Sequence, residues 1–212
     1  MSQGVRKTHQ TRSKLTRDKL LSALEKLLQK KDFADITTAE IAKEAGVSAA
    51  SIYRRFDKKQ GFIQVLFDLY IARIEEWAAS PEARPNLEDV TLKGALEQIA
   101  LVAWDQLTDQ RHIMRAVALH GRQHLSLVSE SATRFEAMTL ASMEAVLDLY
   151  KNEVKRADIK RTAKMLAYFL NNIFIERCMF EGQFAAFSND LSKEEFCREV
   201  ALFAYGYLIL ED

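Results

Sequence analysis

Leu20, Leu21, Leu24, Leu27 and Leu28 recur at the three- and four-residue intervals of an amphipathic helix and predict one that buries a leucine stripe. Thr37, followed three residues later by Glu40, forms a capping box, in which a hydroxyl and a carboxylate satisfy two amides left over at a helix start. A short second helix is predicted there, with Ile41, Ala42 and Ala45 on its inner side. Gly46 ends it, because glycine accepts the left-handed conformation that turns the chain sharply. Ser48 is the expected N-cap of a third helix. That helix places Ile52 and Phe56 on one side, four residues apart, and Ala50, Tyr53 and Arg54 on the other.

A longer fourth helix is predicted from about Lys58 to Ala79, with Phe62, Val65, Leu66, Leu69 and Ile74 near its buried stripe. Residues 80–86 hold both prolines, Pro81 and Pro85, and form the clearest break. Beyond it the periodicity predicts helices at roughly 88–107, 110–123, 127–152, 159–181 and 193–210, the last opened by a second capping box, Ser192 with Glu195. The final two have scarcely any polar face: Met165 to Ile175 and Phe196 to Leu210 are apolar almost all round. Such helices must be covered on every side, and a second copy of the chain across a two-fold axis is the simplest cover. A homodimer through Phe169, Ile173, Phe180, Phe196, Phe203 and Tyr207 is expected.

The expected fold is all-α, in three parts: a basic flexible arm at 1–14, a three-helix helix-turn-helix domain at 15–60, and a helical effector-binding and dimerisation domain at 61–212. Composition agrees, since 48% of the 212 residues are hydrophobic, enough to bury a substantial core. The longest uncharged apolar run, Val200 to Leu210, is about half the length of a membrane span, and the basic start is followed by no apolar stretch. No membrane partner is expected. Two cysteines make no disulfide framework, so Cys178 and Cys197 are read as small buried hydrophobes of a cytoplasmic protein.

Charge divides what composition averages. The net charge is zero, yet residues 1–60 carry 14 Lys/Arg against 7 Asp/Glu, and the remainder carries the opposite excess. The N-terminal part is therefore the candidate binder of a polyanion, with Arg6, Lys7, Arg12 and Lys14 in its arm. Two short helices around a glycine turn suit a DNA major groove, and the small Ala49 and Ala50 let the tip of the second approach base edges. Lys58 and Lys59, read as the first turn of the fourth helix, would oppose the helix dipole unless a phosphate sits there.

The segment Thr37 to Lys59 resembles the N-terminal domain of TetR-family repressors in Thr37, Ile41-Ala42, Ala45-Gly46-Val47-Ser48, Tyr53 and Phe56-x-x-Lys59, and the likeness covers about residues 15–70. It implies that Ala49, Ala50 and Arg54 face bases in double-stranded operator DNA. Thr37, Ser48, Tyr53, Arg55 and Lys59 would hold phosphates, with Ser51 and Lys58 beside them. The family usually has His at the position of Arg55 and often Gly at that of Ala50. The rest of the chain matches only in kind, as a variable helical ligand-binding and dimerisation domain. By the same resemblance, a ligand would shift the fourth helix and change the separation of two recognition helices that must match grooves ~34–36 Å apart.

Trp104, Met114, Phe135, Met138 and Tyr168 are the candidate walls of a pocket for a small apolar or amphipathic effector, with His120 and His124 as polar candidates. The two histidines are four apart, a metal-ligand spacing, but no third ligand is evident and no metal or cofactor is expected. There is no nucleophile elbow and no phosphate-cradling glycine loop. The expected function is a ligand-responsive transcriptional repressor and not an enzyme; the competing reading is a helical carrier or enzyme whose DNA-binding-like N-terminus is unused.

Overall fold

The structure, a computed structural model, describes residues 3–54, 56, 58–80, 90–180 and 190–211, with side chains from residue 14 onward. Among them the chain is helical and contains no strand: α1 (Gln3–Leu28), α2 (Thr38–Ala45), α3 (Ala49–Tyr53), α4 (Gly61–Ala79), α5 (Leu92–Asp109), α6 (Arg111–Gly121), α7 (Leu125–Leu149), α8 (Ile159–Met179) and α9 (Lys193–Ile209), with a 3-10 turn at Phe33–Asp35. Two compact units form. One comprises Met1–Tyr70 with His112–Ser129, the other Ile71–Arg111 with Glu130–Asp212.

In the first unit the leucine stripe does what its spacing requires. Leu20, Leu24 and Leu28 of α1 are buried with Ile41 and Ala42 of α2 and Ile52 of α3. Each buried leucine or isoleucine among them contributes about 1.5–3 kcal/mol of transfer free energy. Phe56 and Phe62 stack with ring centroids 3.9 Å apart, which fixes the chain between α3 and α4. α6 belongs to this unit: His112 Nε2 lies 3.2 Å from Glu25 Oε1 of α1, and the Arg115 guanidinium lies 3.2 Å from the Asp32 carboxylate. Ile113, Met114, Ala116 and Val117 are its buried stripe.

Helix starts differ from the sequence reading in two places. Helical backbone begins at Gln3 and runs through most of the stretch assigned to an arm, where one glycine and no proline interrupt the pattern. α4 begins at Gly61, because the amides of Gly61, Phe62 and Ile63 bond back to the carbonyls of Lys58, Lys59 and Gln60 in a tighter turn. The expected proline break lies, apart from Ser80, outside the described residues.

The second unit is built on α5, against which α8 and α9 pack. Leu92, Leu96, Leu147, Leu166 and Leu208 fill its core, with Ala95, Ala201 and Ala204 small enough for close helix approach. Its helix starts are capped as their sequences dictate. Thr91 accepts from the Gly94 amide at 3.3 Å, and Ser192 with Glu195 forms a complete capping box. No helix among the described residues is long and apolar enough to cross a membrane.

Candidate functional site

α2 is fixed at both ends by local devices. Thr37 Oγ1 accepts from the Glu40 amide at 3.2 Å while Glu40 Oε2 accepts from the Thr37 amide at 2.8 Å, completing the predicted box. Glu40 also holds Lys31 Nζ at 2.6 Å. That bond, with those from Thr37, lowers the Glu40 carboxyl from its ordinary 4.5 to about 2. At the other end Gly46 sits at φ 64°, ψ 36°, and the Val47 amide bonds to the Ala42 carbonyl, so the left-handed residue stops α2 as expected.

α3 then displays one side and buries the other. Ile52 is fully enclosed, whereas Ser48, Ala49, Ala50, Tyr53 and Arg54 are exposed, Tyr53 at 59%. The displayed polar groups form a small network. Ser48 Oγ lies 3.0 Å from Ser51 Oγ, Arg54 Nη2 donates to Ser51 Oγ at 3.3 Å, and the hydroxyls of Tyr53 and Thr38 are 3.2 Å apart. Ser48 occupies the N-cap position in extended backbone, but its side chain bonds Ser51 instead of capping an amide. Thr38 was not singled out by the sequence reading. Only the fold brings it to Tyr53, fifteen positions on.

Two of the expected phosphate contacts take a different form. The Thr37 hydroxyl donates to Glu40 Oε2 at 2.9 Å, so its one proton is already used within the box. Lys59 does not project to solvent: its Nζ donates to the Ala34 carbonyl at 2.9 Å and sits 4.6 Å from the Phe33 ring centroid. Burial is the main cause of a lowered Lys59 pKa. The neighbouring Lys58 is exposed, and both lysines precede α4 instead of opening it. Arg55 lies outside the described residues. What is brought together is a small-tipped helix flanked by hydroxyls, with Arg54 and Lys58 as exposed cations beside it.

The seven residues expected to line an effector pocket are divided between the two units. Met114, His120 and His124 belong to the first unit, where Met114 is buried and His120 packs on Phe33 with centroids 5.0 Å apart. Burial lowers the His120 pKa, with the Lys59 charge adding to it. His124 is exposed. In the second unit Trp104 packs on Phe196, Phe135 and Met138 are half-buried on α7, and Tyr168 is 64% exposed on α8. The second unit holds a cleft of about 250 Å³ between α4 and α5, lined by none of the seven.

The expected dimer residues also divide. Phe169 and Phe203 stand exposed with centroids 6.1 Å apart, and Tyr168 joins them 6.0 Å from Phe169. Met165 of α8, Leu202 and Ile209 of α9 and the following Leu210 are exposed apolar residues as well. Ile173 and Phe180 are half-buried, and Tyr207 lies beneath the Arg156 guanidinium at 4.8 Å. Phe196 is a correction: only 6% exposed, it is enclosed by Trp104 and Phe174 at 5.5 and 5.8 Å and serves its own core. Both cysteines are buried, and burial pushes the Cys197 thiol up to about 11, out of reach of thiolate chemistry at neutral pH.

Residues 20–66 match the family described as bacterial regulatory proteins, tetR family. The chain is 45% identical over 51 residues to the uncharacterized HTH-type transcriptional regulator YvkB of Bacillus subtilis, a stretch covering 24% of this chain and 27% of that protein. The match thus spans about a quarter of the curated relative's length. Among solved structures, GusR of Salmonella enterica superposes with a TM-score of 0.64 at 18% identity, over 92% of this chain and 96% of that one. NalD of Pseudomonas aeruginosa, described as the secondary repressor of the MexAB-OprM multidrug efflux pump, does so with a TM-score of 0.58 at 17% identity, over 92% and 97%. At these identities the likeness establishes a shared fold along nearly the whole chain.

Proposed function

We propose that this chain, whose residues 20–66 match the tetR family of bacterial regulatory proteins, acts as a homodimeric, ligand-responsive repressor bound to a palindromic operator. The observation that carries this reading is the displayed tip of α3. Ala49 and Ala50 are exposed at the start of a helix whose other side is locked by Ile52, so backbone can approach base edges without bulk. Arg54 is the long donor on that side, suited to a guanine. Ser48, Ser51, Tyr53, Arg55 and Lys58 hold the backbone, while Thr37 and Lys59 shape the domain that presents them.

A five-residue helix reads too few bases alone, and duplication supplies the rest. The exposed Phe169, Phe203 and Tyr168 on α8 and α9 favour a two-fold partner, since an isolated chain would leave a contiguous apolar surface in water. The described role of NalD supports repression, and the helical second unit supports a response to a small molecule. An effector would act by preferring the arrangement of the dimer in which the two α3 tips miss successive grooves, with a coupling of ~1–3 kcal/mol.

The test is fluorescence anisotropy of the purified full chain against duplexes enriched from a random pool, repeated over a range of salt. Selective binding by a dimer, weakening steeply as counterions are restored, is expected. A monomer indifferent to every duplex at low salt would end the proposal.

A further inference from the structure

Thr38 has no part in the operator contacts proposed above, yet its Oγ1 lies 3.2 Å from the Tyr53 hydroxyl. Its place is well defined. Thr38 is the first residue of α2, and the turn it opens is clamped by the Thr37–Glu40 box, with Lys31 Nζ on the same carboxylate at 2.6 Å. A threonine deeper in a helix can give its proton to the carbonyl four residues back. At a first position no helical turn precedes it, and the Thr38 hydroxyl meets α3 instead. Tyr53 is the opposite case. Its backbone is held, with Ile52 beside it fully enclosed, but its ring is 59% exposed and has little packing to fix where the hydroxyl points. The bond to Thr38 supplies that constraint.

We infer that Thr38 is a positioning residue for DNA binding: it donates to the Tyr53 oxygen and so leaves the Tyr53 proton aimed at a backbone phosphate. Proton counting sets the direction. Each hydroxyl has one proton and can also accept, whereas a phosphate oxygen only accepts. Tyr53 can therefore serve a phosphate only while its own proton is not spent on Thr38. The order Thr38 to Tyr53 to phosphate satisfies all three groups, and each bond in such a chain polarises the next. The reverse order would set two acceptors against each other. Valine at this position keeps the shape of threonine without the proton and leaves the phenol unsupported; serine keeps the proton. The inference rests on the operator-binding reading, in which Tyr53 holds phosphate, and adds to it the residue that makes Tyr53 a directed donor.

Anisotropy of the full chain on selected and scrambled duplexes, over a range of salt, tests this with Thr38→Val, Thr38→Ser, Tyr53→Phe and the Thr38→Val/Tyr53→Phe pair. Thr38→Val is expected to weaken binding about fivefold on every duplex, Thr38→Ser to restore it, and the double variant to bind as Tyr53→Phe alone does. The salt dependence should keep its slope, because no cation leaves the interface; a loosened domain would lose Lys and Arg contacts and flatten it. Without DNA, the chain labelled with meta-fluorotyrosine gives a Tyr53 fluorine resonance, identified as the line absent from Tyr53→Phe. That line should move in Thr38→Val and return in Thr38→Ser. Additive losses would mean that Thr38 meets DNA itself and would overturn the positioning role, as would a flattened salt slope or a resonance indifferent to Thr38→Val. If the unaltered chain bound no duplex, the operator reading would fall and this role with it; the other outcomes leave that reading standing.

Discussion

The hydroxyls of Tyr53 and Thr38 lie 3.2 Å apart and join the displayed side of α3 to the first turn of α2. The bond holds Tyr53 upright over the helix-turn-helix while leaving its ring 59% exposed, the arrangement of a group that offers its hydroxyl to a phosphate. Tyr53→Phe should therefore weaken DNA binding about tenfold and equally for all sequences, because a phosphate contact carries no base information. Anisotropy against matched and scrambled duplexes measures this; a change confined to one base position would contradict it.

Arg54 should behave in the opposite manner. Its guanidinium donates to Ser51 in the free protein, an exposed bond that a base edge can replace at little cost. Arg54→Ala is expected to relax the preference at one position per half-site, worth ~1–3 kcal/mol of discrimination. Selection from random duplexes with both proteins reads it directly, and uniform weakening would remove Arg54 from base reading.

The capping box at α2 makes stability pH-dependent. Glu40 is held at about 2 in the folded chain against an ordinary 4.5, so its contribution is complete above 4.5 and is lost as pH falls toward 2. Denaturant unfolding across that window should show a slope that Glu40→Gln diminishes. Thr37→Ala, which removes the other half of the box, should cost about 1 kcal/mol at neutral pH.

Phe196 and Phe203, seven residues apart on α9, should fail in different ways. Phe203→Glu places a charge on an exposed apolar surface and is expected to yield a folded monomer by sedimentation velocity. Phe196→Ala empties a site enclosed by Trp104 and Phe174 and should cost about 3–5 kcal/mol of stability. If Phe203→Glu stayed dimeric, the α8/α9 surface would not be the interface.

What the sequence made legible was whatever a few neighbouring residues decide. Thr37 with Glu40, Gly46, and Ser192 with Glu195 are complete within four positions, and each takes its predicted form. Where direction in space matters, the pattern is mute. Lys58 and Lys59 are adjacent and chemically identical, yet one is exposed and the other turns onto Phe33 and the Ala34 carbonyl, because the 3-10 turn at Phe33 lies beside only one of them. The apolar run of α9 reads alike from end to end, so nothing local separates enclosed Phe196 from open Phe203. A pocket is hard to read for a related reason: bulky apolar side chains mark any interior, and Arg73, Trp77 and Asp109, which line a cleft, fall in no common sequence pattern.

The pairs Glu25 with His112 and Asp32 with Arg115 have a practical bearing. They make α6, far along the chain, a structural part of the unit that carries the helix-turn-helix. A fragment cut after Tyr70 would strip Ile113, Met114 and Val117 from that interior and leave a bare greasy strip in their place. Such a fragment should aggregate or melt early, and a minimal autonomous version would have to graft the α6 segment back on through a linker.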